Sequence, residues 1–309
     1  MLYENLTEFS GKPVKDFDPD EGLDSPSKSA CRIRIGYDDQ GELWADKLAE
    51  LLKDPAAGKI EALVVGAWED VCTGTESTAV VEALTAARDT LVNLKHLFFG
   101  DIISEESEIS WIIQSDLSPI FEAYPALQDL TIRGGSSLSL GRPRHKHLKN
   151  LTIQSGGLPP SVIHEIAGAE FPNLEHLELW LGDPNYGGEA TVEDLAPLLR
   201  GDKFSRLTYL GLKDSVIQDE IAGVVANAPV VGRLHTLDLS LGQLGDDGAR
   251  ALLSSPLIKK LKRLDLHHHF ISDELVAKLK ALGIEVDLSD KQEPQEWSGQ
   301  QHRFVAVSE

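Results

Sequence analysis

An α/β solenoid, in which strand–helix repeats stack to line a curved parallel sheet, is the fold class the sequence predicts, on three observations. The first is a recurring L-x-x-L-x-L frame: Leu234, Leu237 and Leu239 are echoed 27 residues later by Leu261, Leu264 and Leu266. The second lies between the two copies, where Ala249, Leu252 and Leu253 form an apolar run at helical spacing and Asp246 or Asp247 is placed to cap it. The third is size. A chain of 309 residues is long for one globule and ordinary for a repeat array, and its 41% hydrophobic content argues against wholesale disorder.

Residues 1–29 read as an N-terminal arm or cap, with Gly11, Pro13, Pro19, Gly22 and Pro26 around the acidic cluster Asp16, Asp18, Asp20 and Glu21. An uncovered solenoid end exposes core and sheet edge, so Leu6, Phe9, Val14 and Phe17 are expected to pack on the first repeat. Residues 30–290 form the repeat array. Ala30, Ile33 and Ile35 make a degenerate first copy, followed by the amphipathic run Leu43, Leu48, Leu51 and Leu52, which ends at Pro55 and Gly58. Further copies begin at Ile60, Leu94, Leu127, Leu148, Leu174 and Leu207, ahead of the two above, and a last one surrounds Val286 and Leu288. That makes about ten strands. Helices are expected over 78–88, 108–113, 161–167, 192–199, 220–226 and 274–282. The step from Leu127 to Leu148 leaves little room for one, so 134–144 should be an extended return. Residues 291–309 are polar and finish on Phe304, Val305, Ala306 and Val307. They are expected to dock as a cap or edge strand, the alternative being a short peptide offered to another protein.

Composition narrows the function. With 29 basic against 50 acidic residues the net charge is −21, which disfavours nucleic acid and anionic membrane as partners. Solubility accounts for most of that charge. No apolar run approaches the roughly 18 residues of a membrane span, and MLYENLTEF lacks the basic and apolar regions of a signal peptide. Cys31 and Cys72 are too few for disulfide-bonded end caps or for the strong zinc motifs. A reduced, cytoplasmic, monomeric protein is expected.

Over about residues 30–290 the chain resembles the ribonuclease-inhibitor-like class of leucine-rich repeat proteins, on LHTLDLSLGQLGDDGARALL and LKRLDLHHHFISDELVAKL. The resemblance implies a leucine-rich repeat solenoid of horseshoe form that binds other proteins. The opening LTEFSGKPVKDFDP is similar to the start of a bacterial cytoplasmic leucine-rich repeat family. One departure stands out. Where many such repeats place an asparagine, this chain has Gly182, Ser215, Gly242 and His269, so other groups must satisfy the turn backbone.

Strand alternation turns the leucines inward and three columns of other residues onto the concave face. The third of these is expected to run Gly66, Gly100, Arg133, Gln154, Trp180, Lys213, Ser240, His267 and Ser289. In the middle column Asp238, Asp265 and Asp287 follow one another with nothing between them, although Arg263 and His267 flank them. Like charges facing each other across a sheet are destabilising. One reading is a carboxylate strip for a basic segment of a protein partner or for a cation, ringed by Trp180 and Tyr209. The other is that aspartate belongs to the L-D-L consensus and is simply solvated. The partner-binding set is Trp180, Tyr209, Lys213, Asp238, Arg263, Asp265, His267 and Asp287. Replacing the three aspartates with asparagine is expected to weaken capture and leave folding intact or slightly improved.

Catalysis finds no foothold, for there is no G-x-S-x-G, P-loop or dinucleotide fingerprint. No catalytic residue, cofactor or metal is assigned. His267, His268 and His269 point alternately and cannot converge on one ion, which leaves Asp265 with His267 as a weak metal pair. Cys31, Cys72, Trp44, Trp68 and Trp111 are read as packing residues. The chain is thus expected to be a non-catalytic interaction scaffold. Two alternatives stay open: a regulator of an enzyme or GTPase that lends Arg263 or Arg133 in trans, and a catalytic or metal-dependent activity of the chain alone.

Overall fold

The computed structural model describes residues 2–36, 39, 41–297 and 299–308. They form two compact units, one of residues 1–154 and 168–172, the other of residues 155–167 and 173–308.

The first unit opens with a hairpin. Strand β1 (Glu8–Phe9) turns through Ser10 and Gly11, both at positive φ, into the antiparallel β2 (Lys12–Asp16). Strand β2 then lies parallel on β3 (Ala30–Ile33), and β4 (Ala62–Gly66), β5 (His96–Asp101), β6 (Asp129–Arg133) and β7 (Asn150–Gln154) follow in chain order. Leu63, Leu97, Leu130 and Leu151 stand side by side in this ladder, all buried. Helices α1 (Trp44–Leu51), α2 (Thr78–Ala86) and α3 (Ser118–Ala123) supply further core residues.

Four expectations need correction here. Strand β3 pairs Cys31 with Leu63 and Ile33 with Val65, so the first copy is framed two residues earlier than Ala30, Ile33 and Ile35 suggested. Cys31 fills the leucine position, and burial pushes its thiol up to about 12, as suits a packing residue. Residues 108–113 contain only a short turn, Ile109–Trp111, and Trp111 and Cys72 are exposed, whereas Trp44 and Trp68 are buried. Finally, the β4–β5 register slips, pairing Gly66 with Asp101 and not with Gly100. Residues 134–144 are an extended return, touching the preceding loop through Ile113–Ser136 and Asp116–Ser139 bridges.

The second unit alternates helix and strand: α4 (Pro160–Gly168), β8 (His176–Gly182), α5 (Val192–Leu199), β9 (Tyr209–Ser215), α6 (Gln218–Val225) and β10 (Thr236–Asp238). Then come α7 (Asp246–Ser254), β11 (Arg263–Asp265), α8 (Asp273–Lys280) and β12 (Glu285–Asp287). Strands β8 to β12 are parallel and neighbours in chain order, with Leu177, Leu210, Leu237 and Leu264 buried in register. A separate antiparallel hairpin, β13 (Gln295–Trp297) and β14 (Gln300–His302), precedes the last residues.

Caps come from across the fold. Neither Asp246 nor Asp247 caps α7; both lie within its first turn, and the Asp219 carboxylate of α6 accepts the N–H groups of Gly245 and Gly248 at 2.7 and 2.9 Å. Glutamines serve where asparagine is missing. Gln218 donates to the Leu212 carbonyl at 2.9 Å, and Gln114 in the first unit to that of Arg133 at 2.7 Å.

Candidate interaction surface

Alternation along β8–β12 buries the leucines and sets two clusters on the other face. The first is built around a missing side chain. Gly211 lies in register between Glu178 and Asp238, and a Cβ there would come within 3.1–3.4 Å of Glu178, Tyr209 and Lys213. All three lean over the gap. The Tyr209 hydroxyl sits 3.0 Å from Glu178 Oε2 and 2.7 Å from Asp238 Oδ2, so its one proton serves two carboxylates. Lys213 Nζ supplies the countercharge, 3.2 Å from Asp238 and 3.6 Å from Glu178, and 5.7 Å from the Trp180 ring centre. Trp180 donates its indole N–H to Glu178 at 2.7 Å, and His176 stacks on Tyr209 at 3.8 Å. Burial works to raise the Glu178 carboxyl, but His176, Lys213 and Trp180 outweigh it and hold it at about 2. Burial, joined by the charges of Asp238 and Glu178, pushes the Tyr209 hydroxyl above its ordinary range.

The second cluster is centred on Arg263. Its Nη2 donates to Asp265 at 2.8 Å and to Asp287 at 3.1 Å, while Nη1 donates to Glu285 at 2.5 Å. His267 Nδ1 lies 2.7 Å from Asp265 Oδ1, which raises the imidazole above its usual value. Burial opposes ionisation of Asp265, yet the bonds from His267 and Arg263 hold its carboxyl well below the carboxylate range.

Asp238, Asp265 and Asp287 do stand in one row, paired strand to strand. They are not a bare strip, however: Lys213 neutralises the first, to which Tyr209 also donates a hydrogen bond, and Arg263 spans the other two. Trp180, Lys213, Asp238 and Asp265 are only 7, 9, 4 and 8% exposed, so they brace the face from within. Tyr209, Arg263, His267 and Asp287 keep part of their surface open. Asparagine at 238 would leave Lys213 with only the longer contact to Glu178 in a nearly dry site, so the triple substitution is no longer expected to spare the fold. The sequence reading put Glu178, Glu285 and Gly211 in the concave columns but left them out of the partner-binding set; the position of Glu178 between His176 and Trp180 was the available signal.

Among the described residues no three histidine, cysteine or carboxylate side chains gather as a metal site. The Asp265–His267 pair is a hydrogen-bonded couple whose Nδ1 is already engaged. His269 is buried, and its Nδ1 accepts the Ile271 N–H at 3.1 Å. Arg133 is buried as well, donating to the Ile102 carbonyl at 2.8 Å and to Gln154 at 2.9 Å, with its guanidinium over Phe98. It has no face free to enter another protein's site.

On β6 and β7 of the first unit, Thr131, Asn150 and Thr152 of the corresponding face stay partly exposed, but on β3–β5 that face is closed. Ala30, Ala62, Val64 and Phe98 form an apolar patch there, and Leu6, Phe9 and Val14 pack on it, the Phe9 and Phe98 rings meeting edge to face at 5.7 Å. Phe17 instead extends the ladder through its N–H to Arg32. Asp101 pins the arm. Its fully buried carboxylate accepts the Leu6 N–H at 3.2 Å and Arg32 at 3.0 Å, with Arg133 at 3.6 Å. Arg32 also binds Asp16 at 2.5 Å and the Leu6 carbonyl at 3.1 Å.

No protein-family model matches the sequence, and no curated protein matches it. Among solved structures, the crystal structure of a Bacteroides fragilis protein is 34% identical and superposes with a TM-score of 0.82, covering 90% of this chain and 78% of its own. An internalin from Listeria monocytogenes is 16% identical, with a TM-score of 0.28 over 80% of this chain and 77% of its own, too poor a fit to bear on the fold.

Proposed function

We propose that this chain, which belongs to the same family as the Bacteroides fragilis protein, is a non-catalytic scaffold that binds another protein on the leucine-free face of β8–β12. One observation carries the reading: that face is polar, braced from below and uncovered by the chain's own arm, while its counterpart on β3–β5 of the first unit is sealed. On it Glu178, Asp238, Asp265, Glu285 and Asp287 outnumber Lys213 and Arg263, which suits a basic segment of the partner. The accessible rim is Tyr209, Arg263, His267, Glu285 and Asp287, and the buried residues hold it rigid, which limits the ordering needed on binding. The reading includes a bacterial cytoplasmic setting and a monomeric chain, in keeping with two unpaired cysteines. Among the described residues no helix is long and apolar enough to cross a membrane.

The test is affinity capture from the native cytosol with the wild type beside a Glu285→Gln/Asp287→Asn variant. A partner held by this rim should drop at least about tenfold in the variant and fall further as salt is raised. Equal recovery of every captured protein at low salt would remove the rim from the reading.

A further inference from the structure

Residues 303–307 fold back onto the end of β9, the first turn of α6 and the loops that follow β10 and β11, and the contacts resemble those of a peptide in a receptor. Arg303 Nη1 reaches Asp219 and the Gln243 carbonyl, each at 3.2 Å, while its guanidinium lies 5.6 Å from the Phe270 ring centre. His268 Nε2 is 3.2 Å from the Phe304 carbonyl oxygen. The Ala306 N–H donates to the Leu241 carbonyl at 2.8 Å, and the Val307 N–H to Asp214 Oδ1 at 3.0 Å. Side chains alternate accordingly: Val305 and Val307 are 8 and 7% exposed, and Phe304 is 47% exposed. Main-chain bonds combined with alternate side-chain pockets are how extended peptides are recognised.

The occupant fits incompletely. Asp214 is fully buried, yet among the described residues its Oδ2 has no hydrogen-bond partner. A buried polar atom left without a partner lowers the affinity of whatever covers it. Burying two valines and ordering a handful of residues are effects of similar size, so the segment is held weakly.

We propose that this seat is a peptide-binding site and that the chain's own C-terminal segment is its displaceable occupant. The incoming ligand is an extended segment of another protein, with an arginine, aliphatic side chains two and four residues after it, and one further donor for Asp214 Oδ2. A second copy of this chain is the poorer ligand: its tail makes the same bonds and must compete with an identical segment tethered at an effective concentration of about millimolar. Only a better sequence gains by exchange. The seat is separate from the β8–β12 rim, and each stands or falls alone.

The experiment uses a fluorescent peptide of residues 303–308 and the full-length Val305→Asp/Val307→Asp variant, whose own tail is undocked. Anisotropy should show the peptide binding this variant at least about tenfold more tightly than the wild type. A peptide carrying Asp at the Val307 position should not bind, and lysine at the Ala306 or the Ser308 position should tighten binding. A folded variant that ignores the peptide, or binds the Asp-bearing peptide equally well, overturns the proposal. No gain from either lysine overturns the role of Asp214. Should the variant not fold, hydrogen exchange of the Ala306 and Val307 amides in the wild type decides: excess peptide should accelerate it, and unchanged exchange at saturation overturns the proposal. A rise in wild-type mass with concentration, abolished in the variant, would assign the seat to a second copy and overturn the partner.

Discussion

The same strand face is dressed in opposite ways in the two units. Around β3, β4 and β5 it carries Ala30, Ala62, Val64 and Phe98, and the N-terminal hairpin and the segment before it convert it into core. On β8–β12 it carries Glu178, Asp238, Asp265 and Asp287 with their cations, and it stays a surface. The repeat frame is common to both. The lesson is that the frame decides which residues face the leucine core, while three columns of other residues decide whether the second face becomes interior or interface.

Four measurements would break or sharpen that contrast. The largest effect is expected at Asp101, whose carboxylate neutralises Arg32 and Arg133 and holds the arm. Asp101→Ala should lower unfolding stability by about 3–5 kcal/mol and open the arm to proteases. An arm that stays protected would mean that the apolar patch alone retains it. Next comes Lys213→Met, which keeps the stem and removes the ammonium beside Asp238 and Glu178. A loss of about 2–4 kcal/mol is expected at pH 7. In the wild type, Glu178 contributes stability that is present above its ordinary value and disappears as pH falls toward about 2. The variant has less of that to lose, so the gap between the two should narrow on acidification. A gap that is constant from pH 7 to pH 3 would contradict the ion-pair account.

A smaller effect is expected from His267. Its pKa is raised by the bond to Asp265, so its stabilisation is complete below the ordinary histidine value and fades as pH climbs through the folded one. Unfolding free energies from urea titrations between pH 6 and 8 should decline by less than about 1 kcal/mol, and His267→Gln should flatten the trend. A proton NMR titration of this ring that is no higher than that of a free histidine would refute it. The smallest change belongs to Glu285→Gln with Asp287→Asn, which should alter unfolding by no more than about 0.5 kcal/mol. A larger drop would show that the rim is part of the scaffold.

The leucine frame was legible because it repeats one physical demand, an apolar side chain at a fixed inward position. Helices over 192–199 and 274–282 could be read for the same reason. Harder features depend on what reaches across strands. Cys31 hid the first frame because cysteine packs like a small apolar residue without resembling leucine in sequence. The slip at Gly66 moved Asp101 into a column where Gly100 was expected, and a bulge leaves no periodic trace. The cap of α7 comes from Asp219, about a repeat upstream, where local rules do not look. At the surface, the row of aspartates was readable, but the bridging geometry of Arg263 and Lys213 was not, since long side chains choose their partners only once neighbouring strands are fixed.

Gly211 offers a consequence of its own. Alanine there would add no charge and remove no donor, and since a Cβ meets neighbours at 3.1–3.4 Å it would shift Glu178, Tyr209 and Lys213 by only a few tenths of an ångström. Steric fit could therefore be varied while electrostatics stay constant. A ligand indifferent to that methyl would be drawn by the field of the surface alone, and one that rejects it would be reading its contours.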